Sequence, residues 1–157
     1  MQRFLTLGCI IVITPIVLIV LSCGGLIVAG RYVDYQADEL RDVMRGRGNT
    51  EVESLTVYSR GWDGETHIVS DEASTRYLTT MFRRASEVKK LGITYSAEVR
   101  LTSGTTVKCT IYVSDDQDRF AIAFPSNSVE MAYDDYYDIP LSRPIPEPLA
   151  KVLHLLR

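Results

Sequence analysis

The hydrophobic pattern divides the chain into one long apolar segment and a longer region in which apolar and polar positions alternate. From Phe4 to Gly30 the chain has 27 residues and no charged side chain. A helix needs about 20 such residues to cross ~30 Å of hydrocarbon, and tilt accommodates a surplus. We therefore expect residues 1–30 to form a transmembrane anchor that contacts membrane lipid through residues 4–30.

Two processing alternatives compete with an intact anchor. The apolar part of a cleaved signal peptide runs to about 15 residues, which is much shorter than this segment, but small residues near Gly30 offer a cleavage site. The residues Val20, Leu21 and Ser22 before Cys23 partly resemble a bacterial lipobox, although the chain after Cys23 stays apolar. Secretion after cleavage near Gly30 and lipidation at Cys23 therefore remain alternatives.

The charges that flank the apolar segment bear on orientation. Arg31, Arg41, Arg45 and Arg47 follow it closely, and a count of positive charges places that side in the cytoplasm. A short basic start, here Arg3, before an apolar stretch is typical of a signal-anchor, behind which domains are largely exported. We expect a single-pass protein with an extracytoplasmic domain.

Residues 31–48 have the pattern of a short helix. A narrow apolar stripe recurs at helical spacing while most intervening positions are charged, and two glycines end the pattern. The stripe consists of Val33, Ala37, Leu40 and Met44. We interpret this segment as a solvated juxtamembrane stalk, with a self-association helix as the alternative.

Residues 49–157 predict one soluble domain that opens with a hairpin and a helix. Strands over 52–60 and 65–70 flank Asp63-Gly64, the favoured two-residue hairpin loop, which would place Tyr58 opposite Val69. Residues 71–90 then carry one apolar helical face, with Ser70 or Asp71 as the cap. That face consists of Ala73, Tyr77, Leu78, Met81, Phe82, Ala85 and Val88.

Alternation of apolar and polar residues predicts strands over 93–102 and 106–113, and Phe120, Ile122 and Phe124 form the apolar side of a third strand over 120–124. Paired residues in an antiparallel hairpin share a face, so the loops can be deduced by matching apolar positions. A three-residue loop, 102–104, pairs Val99 with Val107 and uses Gly104 as its left-handed residue. A four-residue loop, 115–118, pairs Val113 with Phe120.

These elements predict an α+β fold in which an antiparallel sheet, made of a hairpin and a three-stranded meander, is covered on one face by the helix over 71–90. A weak pattern at 129–133 suggests another short strand, and prolines over 140–148 predict an extended connection. A short C-terminal helix follows, with Leu149, Val152, Leu153 and Leu156 on one side. We expect this helix to dock on the core.

Charge and composition exclude some functions. Arg3 is the only charged side chain before residue 31, so residues 31–157 hold 16 of the 17 basic residues and all 20 acidic ones, a net charge of −4. A mildly acidic surface with interspersed charges is a poor nucleic-acid binder, so we expect no nucleic acid as a partner. The sequence also has no glycine-rich phosphate loop and no cofactor motif.

Few residues are candidates for catalysis or metal binding. Cys109 falls in the apolar register of its strand, so we interpret it as a core residue. His67 and His154 stand alone on different predicted elements, without the spacing of a zinc or catalytic set. The acidic turn at 115–118 lacks the pattern of a calcium loop and is interpreted as a solvated turn.

The most unusual local composition is a run of tyrosines and aspartates at 133–138. Its residues are Tyr133, Asp134, Asp135, Tyr136, Tyr137 and Asp138. The simplest interpretation is an edge strand and loop whose tyrosines partly pack under the domain. Tyrosine is also enriched at interfaces, so the run is our candidate surface for a protein partner. Clustered carboxylates make a divalent-cation site a third interpretation.

The anchor, the helix-on-sheet core and the missing catalytic set favour a membrane-anchored, non-enzymatic interaction or ligand-sensing domain. One alternative is a structural accessory subunit of a membrane complex, with the anchor as its contact surface. The other is a carboxylate-dependent envelope enzyme, for which Asp134, Asp135 and Asp138 are the clustered candidates.

Overall fold

A computed structural model describes a large part of the chain. The described residues are Ser22, Gly24, Gly25, Val28, Ala29 and the ranges 31–58, 65–88, 95–113, 119–124 and 135–155. Over these residues, no helix is long and apolar enough to cross a membrane.

The fold is α+β, with a seven-stranded antiparallel sheet and three helices. The helices are α1 (31–44), α2 (Glu72–Phe82) and α3 (Glu147–Leu155). The strands are β1 (Val52–Tyr58), β2 (Thr66–Val69), β3 (Ser86–Val88), β4 (Tyr95–Leu101), β5 (Thr106–Val113), β6 (Arg119–Phe124) and β7 (Asp135–Pro140).

The order of strands across the sheet is β2-β1-β4-β5-β6-β7-β3. Because β2 and β3 form opposite edges, α2, which lies between them in sequence, crosses the sheet and contacts both β1 and β7. Buried residues of all three helices and of one face of the sheet form a single hydrophobic cluster. The helices therefore cover one face of the sheet.

The register of the central strands confirms the pairing deduced for both hairpins, although residues 115–118 of the second loop lie outside the described residues. Val99 lies opposite Val107, and Val113 lies opposite Phe120. Gly104 has φ +91°, the left-handed conformation that the three-residue loop requires. Apolar residues that must share a buried face thus fixed the strand pairing. The meander extends one strand further than predicted, because β7 pairs with β6.

The register predicted for the first hairpin is wrong. Tyr58 lies opposite Thr66, and Val69 lies opposite Leu55. Leu55 and Val69 are 0% and 1% exposed, so the observed pairing brings two buried side chains onto one face. The register inferred from Asp63-Gly64 would have paired inward-facing with outward-facing positions, which a half-buried hairpin does not tolerate.

The helix predicted over 71–90 is too long. Asp71 is its N-cap, as expected, and its side chain accepts a hydrogen bond from the Ser74 backbone N–H at 2.9 Å. The helix ends at Phe82, where tight i to i+3 hydrogen bonds follow. Residues 86–88 form β3 instead, which pairs with β7 through Glu87 and Tyr137. The apolar periodicity of residues 83–88 is compatible with a helix, but hydrogen bonding to β7 at the edge of the sheet makes residues 86–88 a strand.

The structure also differs from the solvated stalk predicted for 31–48. The helix α1 is present, but Ala37, Leu40, Val43 and Met44 are between 0% and 3% exposed and belong to the core cluster. The guanidinium of Arg41 lies 5.9 Å from the centroid of the Phe124 ring, at cation–π distance. One side of α1 therefore packs against the sheet.

The C-terminal helix docks on the core as predicted. Leu149, Val152 and Leu153 are buried and belong to the core cluster. The preceding segment is held to α2 by the Tyr77 hydroxyl, which donates to the Ser142 carbonyl oxygen at 2.6 Å. Burial raises the pKa of Tyr77.

Candidate functional site

The face of the sheet opposite the helices, here called the second face, displays one continuous row of outward-facing residues. The pairings Tyr58–Ser96, Ser96–Thr110, Thr110–Ala123 and Ala123–Tyr136 carry this row from β1 to β7. Ala123 is buried but lies outside the core cluster, as expected for a side chain that points away from the helices. The row has a tyrosine on each side of small residues.

A second row lies beside the first. Tyr112 pairs with Ala121, and Ala121 pairs with Asp138. The β6 strand thus contributes two alanines, Ala121 and Ala123, between Tyr112 on β5 and Tyr136 on β7. The alanines are 4% and 3% exposed, whereas both tyrosines are half-buried. Contact with another molecule would therefore be made by the tyrosines.

An ion pair stands beside these tyrosines. The guanidinium of Arg119 lies 3.5 Å from the carboxylate of Asp138, and the Asp138 side chain is only 15% exposed. This arrangement places a charged, hydrogen-bonding pair next to an aromatic surface.

The opposite half of the second face is polar and already internally paired. The Arg100 Nε donates to Glu53 at 2.9 Å. Burial raises the pKa of Tyr58, and the Glu98 carboxylate, which accepts the Tyr58 hydrogen bond, raises it further. Tyr58 therefore stays protonated at neutral pH and acts as a donor within the sheet.

The residues of the tyrosine and aspartate run at 133–138, predicted as a partner surface, do not all lie on one face of the sheet. Tyr133 and Asp134 lie outside the described residues, and Asp135 begins β7 opposite Phe124. Tyr136 and Asp138 lie on the second face.

Tyr137 faces the other way. It is 5% exposed, and its ring stacks on Phe124 with 5.6 Å between centroids and 1° between planes. The β7 strand lies between β6 and β3, so it is not the edge strand of the simplest interpretation.

Of the three aspartates considered for catalysis, Asp138 lies on the second face, while Asp134 and the side chain of Asp135 lie outside the described part of the structure. Within the described ranges no group of three or more histidine, cysteine or acidic residues is placed to hold a metal ion. His67 is on β2 and His154 is on α3, and the acidic turn at 115–118 lies outside the description.

Cys109 occupies the core position that its strand register predicted. It is 0% exposed, and its thiol donates to the Ala97 carbonyl oxygen at 3.4 Å. Burial raises the pKa of the Cys109 thiol far above its usual value, with the Glu98 carboxylate as a smaller cause. A protonated, buried thiol is chemically inert in the folded state.

Another feature is a shallow depression at the start of α3. It has a volume of about 550 Å³ and is lined by Arg143, Pro144, Ile145 and Ala150. The described residues of its lining offer one cation, the Arg143 guanidinium, beside apolar side chains.

Two residues of the candidate site, Tyr112 and Arg119, were not singled out from the sequence. Alternation along β5 assigned Tyr112 to the polar side of its strand, which is the signal that marks it as outward-facing. Its proximity to Tyr136 depends on the β6–β7 pairing, for which the sequence carries no comparable pattern.

Comparisons with protein-family models, with curated proteins and with solved structures find no match to this chain.

Proposed function

We propose that this chain is a membrane-anchored, non-enzymatic interaction domain whose second face binds a protein partner. The observation that carries this proposal is the pair of half-buried tyrosines, Tyr112 and Tyr136, on either side of the β6 alanines. Tyrosine offers apolar area, a hydrogen-bonding tip and little rotamer entropy to lose, which is why it is enriched at protein interfaces.

The dimensions of the second face support a protein partner. Seven strands about 4.8 Å apart, with roughly six residues each at ~3.3 Å per residue, extend over about 29 Å by 20 Å. This area is of the same order as the ~800 Å² that one partner contributes to a standard interface. The ion pair between Arg119 and Asp138 adds polar groups at the margin of the tyrosines, where they favour one orientation of the partner.

The proposal is tested by photocrosslinking in intact membranes. A benzophenone amino acid replaces Tyr112 or Tyr136 in the full chain, and the matched control replaces Arg76, whose side chain is 77% exposed on α2. We expect both second-face positions to give the same discrete adduct and position 76 to give none. The alanine variants of Tyr112 and Tyr136 should each weaken the complex by about tenfold, as interface tyrosines do.

Two results contradict the proposal. One is the absence of an adduct at both tyrosine positions while the chain is present in the membrane. The other is an identical set of adducts at positions 76, 112 and 136, which would indicate random collision.

We further propose that residues 4–30 form a single-pass signal-anchor and that the domain is extracytoplasmic. The uncharged length of this segment supports membrane insertion, and the short basic start supports export. A C-terminal fusion to reporters that are active on only one side of the membrane tests the orientation. Activity of the cytoplasmic reporter alone would overturn export, and the mass of the mature chain separates an intact anchor from cleavage near Gly30 or lipidation at Cys23.

A second candidate function is a structural accessory subunit of a membrane complex. The observation that favours it is an exposed apolar stripe on the helical residues where the uncharged segment ends, at Val28, Tyr32 and Tyr35. Such a stripe suits either a neighbouring helix or lipid, and the spectroscopic experiment below separates these two occupants.

A further inference from the structure

The exposed apolar side chains of the described residues concentrate on one side of α1 and the helical residues just before it. Of five large exposed hydrophobic residues, three are Val28, Tyr32 and Tyr35, which are 70%, 60% and 58% exposed. Their spacing of four and then three residues puts them on one stripe of a helix with 3.6 residues per turn. This stripe is distinct from the buried side of α1, which contains Ala37 and Leu40.

The stripe lies where the uncharged segment of the sequence ends. At 1.5 Å per helical residue, Tyr32 is about 3 Å and Tyr35 about 7.5 Å beyond Gly30. The polar layer of one leaflet is roughly 5–8 Å thick, the difference between the whole bilayer and its hydrocarbon core. Both tyrosines therefore fall within the thickness of the headgroup layer when Gly30 marks its inner boundary.

We propose that Tyr32 and Tyr35 lie in the lipid headgroup layer, with Val28 at the adjoining edge of the hydrocarbon, and that α1 thereby holds the domain directly against the membrane surface. This inference rests on the proposed membrane anchor. Tyrosine is enriched at membrane–water interfaces because its ring is apolar and its hydroxyl is polar. The exposed Arg31 lies next to Tyr32 and supplies a guanidinium that suits a lipid phosphate.

The packing of α1 makes this contact consequential for the whole domain. The first fully buried residue of the helix, Ala37, is about 10 Å beyond Gly30 along the helix axis, and Leu40 is 0% exposed in the core. The helix that carries the tyrosines is thus itself part of the domain, with no loop between them over residues 31–44. The domain therefore takes a fixed orientation on the lipid surface, unlike a domain on a flexible tether.

The test measures the depth of single tryptophans in the full chain, reconstituted in vesicles of phosphatidylcholine and phosphatidylglycerol. The native Trp62 is replaced by Phe, and tryptophan is then placed at Tyr32, at Tyr35 or, as the matched control, at Asp42. Asp42 is exposed on the same helix, about 18 Å beyond Gly30. Burial of Cys109 against thiol reagents verifies that each variant is folded.

We expect the tryptophans at 32 and 35 to have blue-shifted emission and to lose most of their intensity when the lipids are brominated near the headgroup end of the acyl chain. The tryptophan at 42 should keep the emission maximum of water-exposed tryptophan and should not be quenched.

Three results overturn the inference. Blue-shifted but unquenched tryptophans at 32 and 35 would show that a protein helix, from a second copy or an accessory partner, covers the stripe. Red-shifted, unquenched tryptophans in a chain that floats with the vesicles would show that the stripe faces water while the anchor proposal stands. A chain that does not float with the vesicles would overturn the anchor and this inference together.

Discussion

Replacing Leu40 by alanine should destabilise the domain by about 2–5 kcal/mol, the usual cost of truncating a fully buried leucine. Leu40 is on α1 and is 0% exposed within the same hydrophobic cluster as the sheet. The lost stabilisation has two parts, the transfer of the side chain from water and the cavity left at the helix–sheet contact. In a solvated stalk the same substitution would change the free energy of unfolding by less than about 0.5 kcal/mol.

The buried thiol of Cys109 provides the measurement in the intact chain. With Cys9 and Cys23 replaced by serine, Cys109 is the only thiol, and it reacts with a thiol reagent only when the core opens. We expect the labelling rate of Leu40→Ala to rise by about 30-fold or more, since each 1.4 kcal/mol corresponds to a factor of ten. The control Asp42→Ala changes an exposed residue of the same helix. Equal labelling rates for the two variants would show that α1 does not stabilise the core.

The docking of α1 illustrates what a sequence pattern leaves undetermined. The stripe through Ala37, Leu40 and Met44 has the periodicity that predicts the helix observed over 31–44. Its width of one residue per turn suits both a solvated helix and a helix that fills a groove over a sheet. The choice depends on the space left by α2 and α3 over that sheet, which no local pattern records.

The meander shows the opposite case. The β4, β5 and β6 strands follow one another closely, and each has one apolar face. Only one loop length in each hairpin keeps Val99 opposite Val107 and Val113 opposite Phe120. Burial of a common face therefore determines the register without knowledge of the rest of the fold. Burial of a common face also distinguishes the register of the first hairpin, because it pairs Leu55 with Val69, whereas the Asp63-Gly64 turn preference alone does not.

Local sequence patterns predict neither the edge strand β3 nor its pairing with β7. The residues of β3, Ser86 to Val88, have no alternation that distinguishes them from the last turn of a helix, and their partners lie about 50 residues further along the chain. Such short strands form because an edge of the sheet is available to pair with. The candidate site cannot be predicted from local patterns for the same reason, because only the β6–β7 pairing places Tyr136 across β6 from Tyr112.

Truncation of the two adjacent tyrosines in β7 should destabilise the domain by very different amounts. Tyr137 is 5% exposed and stacks on Phe124, while Tyr136 is half-buried on the second face. We expect Tyr137→Ala to cost about 3–5 kcal/mol, as for other large buried aromatic residues. Tyr136→Ala should cost less, about 1 kcal/mol, because its side chain is partly exposed and lies outside the core cluster. Cys109 labelling again measures both values.

The variant Tyr137→Phe separates loss of packing from loss of the hydroxyl. It keeps the ring that stacks on Phe124, so its labelling rate should stay within about tenfold of the native chain, the effect of at most one net hydrogen bond. A destabilisation by Tyr137→Phe as large as that of Tyr137→Ala would show that the hydroxyl, and not the stacked ring, stabilises this part of the core.

The same pair of tyrosines connects stability with function. If the second face binds a protein, Tyr136→Ala weakens the photocrosslinked complex while Cys109 stays protected, because the fold is retained. Tyr137→Ala weakens the complex only in proportion to the fraction of chains that open, so stabilising conditions such as lower temperature should restore it. Alternate residues of β7 face opposite sides of the sheet, so only Tyr136 should contact the partner. Loss of the complex in both variants while Cys109 stays protected would contradict this, because it would place a binding determinant on the helix-covered face.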